Sequence, residues 1–217
     1  MVWLYFYLGG VFMLNLWIRF ALVFCVVCAS GTASFSDEGA ESTSTWIEIF
    51  SAESSENIVA LTPTLQDYTN ASDSMKRMMS AQEEAATAIL LERKGFGDPW
   101  AHSYFGAKLS LICMMSAPSD LAPHGVSSQG NCEKALNDLL VACDANIAHS
   151  CYLQGILYKN GWEVYGSDWL AADAFIKSAA IFIDAGQKNS AIRSLELAHE
   201  LMPDHPKLSE ISEFVFR

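Results

Sequence analysis

Between Ala148 and Pro206, small residues recur at the spacing that packed helical hairpins need. Gly155, Tyr158 and Gly161 read G-x-x-Y-x-x-G. Ala172 and Phe175 follow, then Ala179 and Ala180, then Ala191, Leu195, Ala198 and Pro203, closed by Asp204-His205-Pro206. A Gly or Ala where two helices cross lets the backbones approach, and a large residue one turn away fills the space beside it. This pattern constrains the fold to an all-α, α-α superhelical (solenoid) array of about seven antiparallel helices. Arrays of this kind usually hold another macromolecule.

The rest of the chain supplies the other helices. One should start near Ser74, because Met75, Met78, Met79, Ala85, Ala86, Ile89, Leu90 and Leu91 keep helical spacing. Lys94-Gly95-Phe96-Gly97 stops it. Asp98 is a good cap with Pro99 at the first helical position, and the helix it opens ends near Ser116. Residues 117–131 hold Pro, Gly and Ser and read as a long loop. Asn131 caps a helix carrying Ala135, Leu136, Leu139, Leu140 and Ala142. Helices over 148–160, 168–185, 188–202 and 206–216 complete the set, and no stretch reads as a strand. Leu208, Ile211, Phe214 and Val215 give the last helix an apolar face that can close the open end of the array.

Two related families share this grammar. Read from Ala172, the stretch resembles a tetratricopeptide repeat: Phe175 and Phe182 fall at its aromatic positions, Ala179 at its small crossing position, and Ala191, Leu195, Ala198 and Pro203 on the second helix and its stop. The family's Leu before the crossing residue is Ser178 here. Read from Ala148, the stretch resembles the Sel-one-like repeat (SLR), through Gly155, Leu157, Tyr158, Gly161, Val164, Asp168 and Ala172. There the family's Leu before the glycine is Gln154, its second loop glycine is Glu163, and one residue is inserted before Asp168. The two readings assign the helix 168–185 to different halves of a repeat. Both imply antiparallel helices and a protein or peptide as partner.

The first 33 residues are a different kind of text. They contain no acid and a single base, Arg19, and Trp, Leu, Phe, Val and Tyr dominate. Gly31-Thr32-Ala33 provides small residues where a signal peptidase reads, so 1–33 is expected to be a signal peptide cleaved after Ala33. From Met13 the order basic, apolar, small is complete, which makes Met13 an alternative start. The competing reading is a retained membrane anchor, against which Arg19 interrupts the apolar run. Residues 34–72 are rich in Ser, Thr, Glu and Asp and are expected to form a flexible tether. Within them Trp46–Phe50 and Ile58–Leu61 could dock on the body as short segments. The helical repeat domain is placed at 73–217.

The formal charge of the whole chain is −12. Such acidity disfavours nucleic acid and anionic lipid surfaces. The expected location is periplasmic or extracellular, with no membrane contact after signal cleavage.

Four cysteines follow the leader: Cys113, Cys132, Cys143 and Cys151. An even number in an exported chain points to disulfides. Cys143 ends one expected helix and Cys151 lies one turn into the next, so a tight antiparallel turn brings them within bridging range. Cys113 would then pair with Cys132. Four buried thiols or a zinc site are the alternatives, but no close C-x-x-C pair exists. Secreted cysteine-containing SLR proteins resemble this chain in the seven-residue gap at the same junction.

A search for chemistry returns no catalytic, cofactor or metal set. His102, His124, His149, His199 and His205 form no H-E-x-x-H motif, and there is no G-x-S-x-G, phosphate loop or dinucleotide fingerprint. His149 lies near Cys143 and Cys151, where a Cys/His dyad is conceivable, but it reads as a surface histidine at a helix start. Arg193, Glu196, His199 and Glu200 read as a solvated face. Trp162, Tyr165 and Trp169 cluster around the loop 160–168 and could contact a peptide or glycan. The tetratricopeptide resemblance implies that Asp173, Ile176, Ala180, Ile183 and Asp184 face a concave groove, apolar and edged by acids. The expectation is an exported interaction scaffold, not an enzyme. A membrane-anchored envelope assembly factor and a secreted hydrolase-type enzyme with a Cys/His site are the alternatives.

Overall fold

The structure is a computed structural model that describes residues 43–69, 71–115, 130–161 and 166–215. The expected leader 1–33, most of the loop 117–131, and Trp162 and Tyr165 lie outside the described residues. The described chain is all-α, with no strand among the described residues. Its helices are α1 (Thr43–Ser51), α2 (Ser55–Leu61), α3 (Leu65–Thr69), α4 (Asp73–Gly95), α5 (Pro99–Met115), α6 (Asn131–Asp144), α7 (Ala148–Asn160), α8 (Asp168–Asp184), α9 (Lys188–Leu201) and α10 (Pro206–Val215).

Local chemistry sets most of these bounds. Ser72 caps α4 by accepting from Met75 N. Asp98 caps α5, its Oδ1 accepting from Trp100 N (2.9 Å) and Ala101 N (3.1 Å). Asn131 is the first residue of α6 and not its cap; Gly130 takes that place.

The tight turns recur. Gly97 N donates to Lys94 O and Asp98 N to Arg93 O between α4 and α5. Asn146 N and Ile147 N donate to Cys143 O and Ala142 O between α6 and α7. Gly186 N and Gln187 N donate to Ile183 O and Phe182 O between α8 and α9. In each turn the first donor has positive φ: 81° at Gly97, 61° at Asn146 and 70° at Gly186. Each is a Schellman stop, which needs a left-handed residue; Gly or Asn supplies it. Three hairpins, α4–α5, α6–α7 and α8–α9, therefore share one joint.

Glycine also sets the crossings between hairpins. A Cβ added at Gly106 of α5 would stand 2.9 Å from Cγ and Cδ2 of Leu139 on α6. One added at Gly155 of α7 would stand 2.7 Å from Phe175 Cε1 on α8. The buried apolar residues form successive local clusters: Cys113, Cys132, Ala135, Leu139 and Leu157 around α5–α7, then Phe175, Ile176, Leu197 and Ala198 around α8–α9. Leu208 and Ile211 of α10 pack on the latter; the side chains of Phe214 and Val215 lie outside the described residues.

Residues 43–69 correct the expectation of a flexible tether. Trp46, Phe50 and Ile58 join Ala85, Ala86, Leu90, Ala101 and Tyr104 in one buried cluster, with Phe50 and Ile58 fully enclosed. Burying side chains of this size stabilises by about 1.5–3 kcal/mol each, enough to dock short helices that would not persist alone. Polar bonds align them. Ser55 Oγ donates to Asp98 Oδ2 (2.7 Å), and Arg93 reaches both Ser55 Oγ (3.1 Å) and Phe50 O (3.4 Å). Trp46 and Phe50 are the exceptions noted within the Ser/Thr-rich text, and four residues apart on a helix they share one face.

Candidate functional site

Both cysteine pairs are bonded. Cys113–Cys132 joins α5 to α6 across the long loop, and Cys143–Cys151 joins α6 to α7 across the tight turn, with Cα–Cα distances of 5.1 and 4.8 Å. All four residues are buried. Two such bonds fit a chain that folds in an oxidising environment. No described helix is long and apolar enough to cross a membrane.

The bonding removes the sulfur from any Cys/His dyad, since a disulfide sulfur is not a thiolate nucleophile. His149 is an exposed residue in the first turn of α7. Its ring stacks on Tyr152 (centroids 6.3 Å apart), and partial burial holds its pKa below the usual imidazole value. Arg193 pairs with Glu196 at 3.4 Å, both largely in solvent. Among the described residues, no group of three His, Cys, Asp or Glu stands close enough to hold a metal ion.

Two carboxylates organise charge, Asp138 inside the fold and Asp173 nearer its surface. Asp138 of α6 is buried and accepts from Lys94 of α4, and it lies 2.8 Å from Nδ1 of His102 on α5. Asp173 of α8 accepts from Lys207 Nζ (2.9 Å), and His205 Nε2 lies 3.6 Å from it. His205 is enclosed under Trp169, with ring centroids 4.5 Å apart, and its Nε2 has no hydrogen-bond partner.

A groove of about 360 Å³ lies between α6, α7, α8 and α10. Its lining comes from Leu140, Cys143 and Asp144 of α6, Gln154 and Tyr158 of α7, Leu170, Asp173, Ala174, Ile176 and Lys177 of α8, and Lys207 and Ile211 of α10. Cys143 and Ile176 are almost fully enclosed, so they form its floor. The disulfide at Cys143 and the Gly155–Phe175 contact hold the helices that shape it.

Of the residues expected on the concave face, Asp173 and Ile176 line this groove. Ala180, Ile183 and Asp184 do not: Ile183 packs with Phe182, Ala191 and Leu195, and Asp184 is exposed at the end of α8. The groove follows the first half of α8 because α10 folds back over that half. Trp169 sits beside the groove's α8 wall, half in solvent against His205. The acidic edge also needs correction. Asp144 pairs with Lys177 (2.9 Å) and Asp173 with Lys207 (2.9 Å), so the charged residues of the lining come as two balanced ion pairs. Each acid is neutralised by a lysine two helices further along the chain, Asp144 of α6 by Lys177 of α8 and Asp173 of α8 by Lys207 of α10, a pairing that spacing within one helix does not display.

Sequence reasoning missed Tyr158, Leu170, Ala174, Lys177, Lys207 and Ile211 as lining residues. Gln154 had a signal: it stands where the repeat pattern carries an apolar leucine. Comparison with protein-family models, with characterised proteins and with solved structures gave no significant match to this chain.

Proposed function

We propose that this chain is an exported, disulfide-stapled helical-repeat scaffold that holds a segment of another protein in the groove between α6, α7, α8 and α10. The observation that carries the reading is the groove itself, with an apolar floor and two self-neutralised ion pairs in its lining. The recurring Schellman joint and the two glycine crossings support a repeat architecture, in which neighbouring hairpins build a shared concave surface. The two buried disulfides support export, because a reducing cytosol does not maintain them. The acidic net charge favours partners that are not nucleic acid.

The test has two arms. A photo-crosslinking amino acid at Leu170, an exposed lining residue, is expected to trap one defined protein in the native host, and the Ala174→Trp groove block should abolish the product. The same probe at exposed Glu92 should give none. Crosslinking that is equal at both positions, or unaffected by the block, overturns the groove as the binding site. Intact mass of the native protein is expected to start near Ser34 and to rise on reduction by two hydrogens for each disulfide. A full-length membrane-bound species with free thiols would favour the anchored assembly factor.

A further inference from the structure

The two disulfides sit in unlike surroundings. Cys113 and Cys132 belong to the apolar cluster of Ala135, Leu139 and Leu157, so core side chains enclose that bond. Cys143 and Cys151 belong to none of the buried apolar clusters among the described residues. Cys143 lines the groove between α6, α7, α8 and α10, and none of the other three cysteines does. It keeps 3% of its surface exposed, against 1% for Cys113 and Cys132 and 0% for Cys151. The groove thus brings solvent to one partner of one bond.

That bond is also the one the fold needs least. Asn146 N donates to Cys143 O (3.0 Å) and Ile147 N to Ala142 O (3.1 Å), so the backbone closes the α6–α7 turn by itself. Ile147 is buried beside it. Once the bond opens, a thiol at Cys151 has an acceptor in place, because its Sγ lies 3.7 Å from Cys143 O. The Cys113–Cys132 bond closes 19 residues of chain and has no such turn beneath it. Opening Cys143–Cys151 therefore leaves the fold assembled.

We propose that Cys143–Cys151 is a thiol–disulfide exchange site for a small thiol or dithiol, with Cys143 as the residue attacked through the groove. The incoming thiolate attacks Cys143 Sγ. A new S–S bond forms there, the Cys143–Cys151 bond breaks, and Cys151 leaves as a thiolate with the electron pair. Cys151 lies in the first turn of α7, where the helix dipole favours negative charge on the departing sulfur. That thiolate then takes a proton from solvent. A monothiol stops at the mixed disulfide, with its body in the groove. A dithiol goes on: its second thiolate attacks its own bound sulfur, closes the dithiol into a disulfide and releases Cys143 as a thiolate, which is protonated in turn. The protein bond has then gained two electrons and two protons, all lost by the dithiol. This chemistry is independent of whatever else the groove holds.

The experiment treats the oxidised full-length protein with graded reduced glutathione or dithiothreitol under native conditions. Alkylation quenches the reaction, and peptide mass mapping reports each cysteine. Cys143–Cys151 is expected to open at least about tenfold faster than Cys113–Cys132. Glutathione should be found on Cys143 and the alkyl label on Cys151. The rate should rise in proportion to thiol concentration and stay unchanged in sub-denaturing urea, while far-ultraviolet circular dichroism holds constant. Opening of Cys113–Cys132 first, opening of both bonds together, or glutathione on Cys151 overturns the assignment. So does a bond that opens only as urea unfolds the chain. None of these outcomes bears on the groove as a partner site, which the crosslinking tests separately.

Discussion

Gly155 and Phe175 meet so closely that a methyl group at residue 155 would stand 2.7 to 2.9 Å from three atoms of the phenylalanine ring. Phe175 is fully buried, so the ring has no free space into which to withdraw. Gly155→Ala gains about 1 kcal/mol of helix propensity but incurs about 1–3 kcal/mol of overpacking, and the second term wins. Gly95, the last residue of α4, has nothing within 4 Å of an added Cβ, so Gly95→Ala should stabilise by about 0.5–1 kcal/mol. Denaturant midpoints of the two variants should move in opposite directions; a stabilised Gly155→Ala would refute the close crossing.

The N-terminal helices should come off as a unit. Phe50→Ala deletes a fully enclosed ring and should cost about 3–5 kcal/mol locally. Because that ring contacts the cluster on α4 and α5 and not the one on α8 and α9, hydrogen exchange should accelerate in α1 and α2 and stay unchanged in α9. Uniform acceleration across the chain would mean that residues 43–69 fold with the whole and not onto it.

The two disulfides should differ in weight. The Cys113–Cys132 link spans 19 residues and the Cys143–Cys151 link spans 8. Loop-closure entropy assigns them about 3 and about 2.5 kcal/mol, and the second is reduced further because the Schellman turn already holds α6 against α7. Thermal melts of the paired Cys→Ala variants should show the larger loss for Cys113/Cys132. The reverse order would place strain or groove collapse ahead of chain entropy.

A polar network joining α3, α4 and α5 makes a pH prediction. Tyr68 donates to Glu83 Oε2 (3.1 Å), and Lys108 Nζ lies 2.7 Å from Glu83 Oε1. Burial, then the bond and charge of Glu83, raise the Tyr68 pKa from its ordinary value near 10 to about 12. The neutral phenol is thus favoured by folding; that contribution is complete below pH 10 and is lost as pH rises toward 12. Burial raises the pKa of Glu83, but the bond and charge of Lys108 override it and the net shift is downward. Its stabilising contribution is present above the ordinary carboxylate pKa and fades as pH falls through the lowered one. Glu83 and Lys108 are each a third or more exposed, so Glu83→Gln should cost under about 1 kcal/mol near neutrality. Ultraviolet titration should show one late phenol that disappears in Tyr68→Phe; no late phenol would refute the network.

Asp138 tests the buried charge cluster. Asp138→Asn leaves Lys94 and His102 without their shared carboxylate, and breaking a buried pair costs about 3–5 kcal/mol. Lys94 retains a quarter of its side-chain exposure and can turn outward, so the low end applies. Chemical denaturation should report it, and a loss below about 1 kcal/mol would mean the pair behaves as a surface bridge.

The places where expectation and structure part have a common cause. The Gly155 crossing was legible because its motif is local and its partner lies on the next helix. Gly106 was not, since a lone glycine between Phe105 and Ala107 carries no pattern until Leu139 is brought against it. Trp46 and Phe50 stood out against their Ser/Thr-rich surroundings, but nothing in that text names the α4–α5 surface that buries them. The acids expected along the groove were read without the lysines that neutralise them, because Lys207 comes from a different helix.

From its sequence alone, the chain determines where the helices from α4 onward start and stop, and which cysteines can pair. Those outcomes rest on caps, left-handed stops and periodic apolar faces within a few residues of one another. Tertiary structure alone decided that residues 43–69 dock, that the groove follows the first half of α8 under α10, and that the acids of its lining are paired with lysines. Each of these depends on surfaces that exist only once helices distant in sequence have packed, because burial and pairing are properties of the neighbours as much as of the residue.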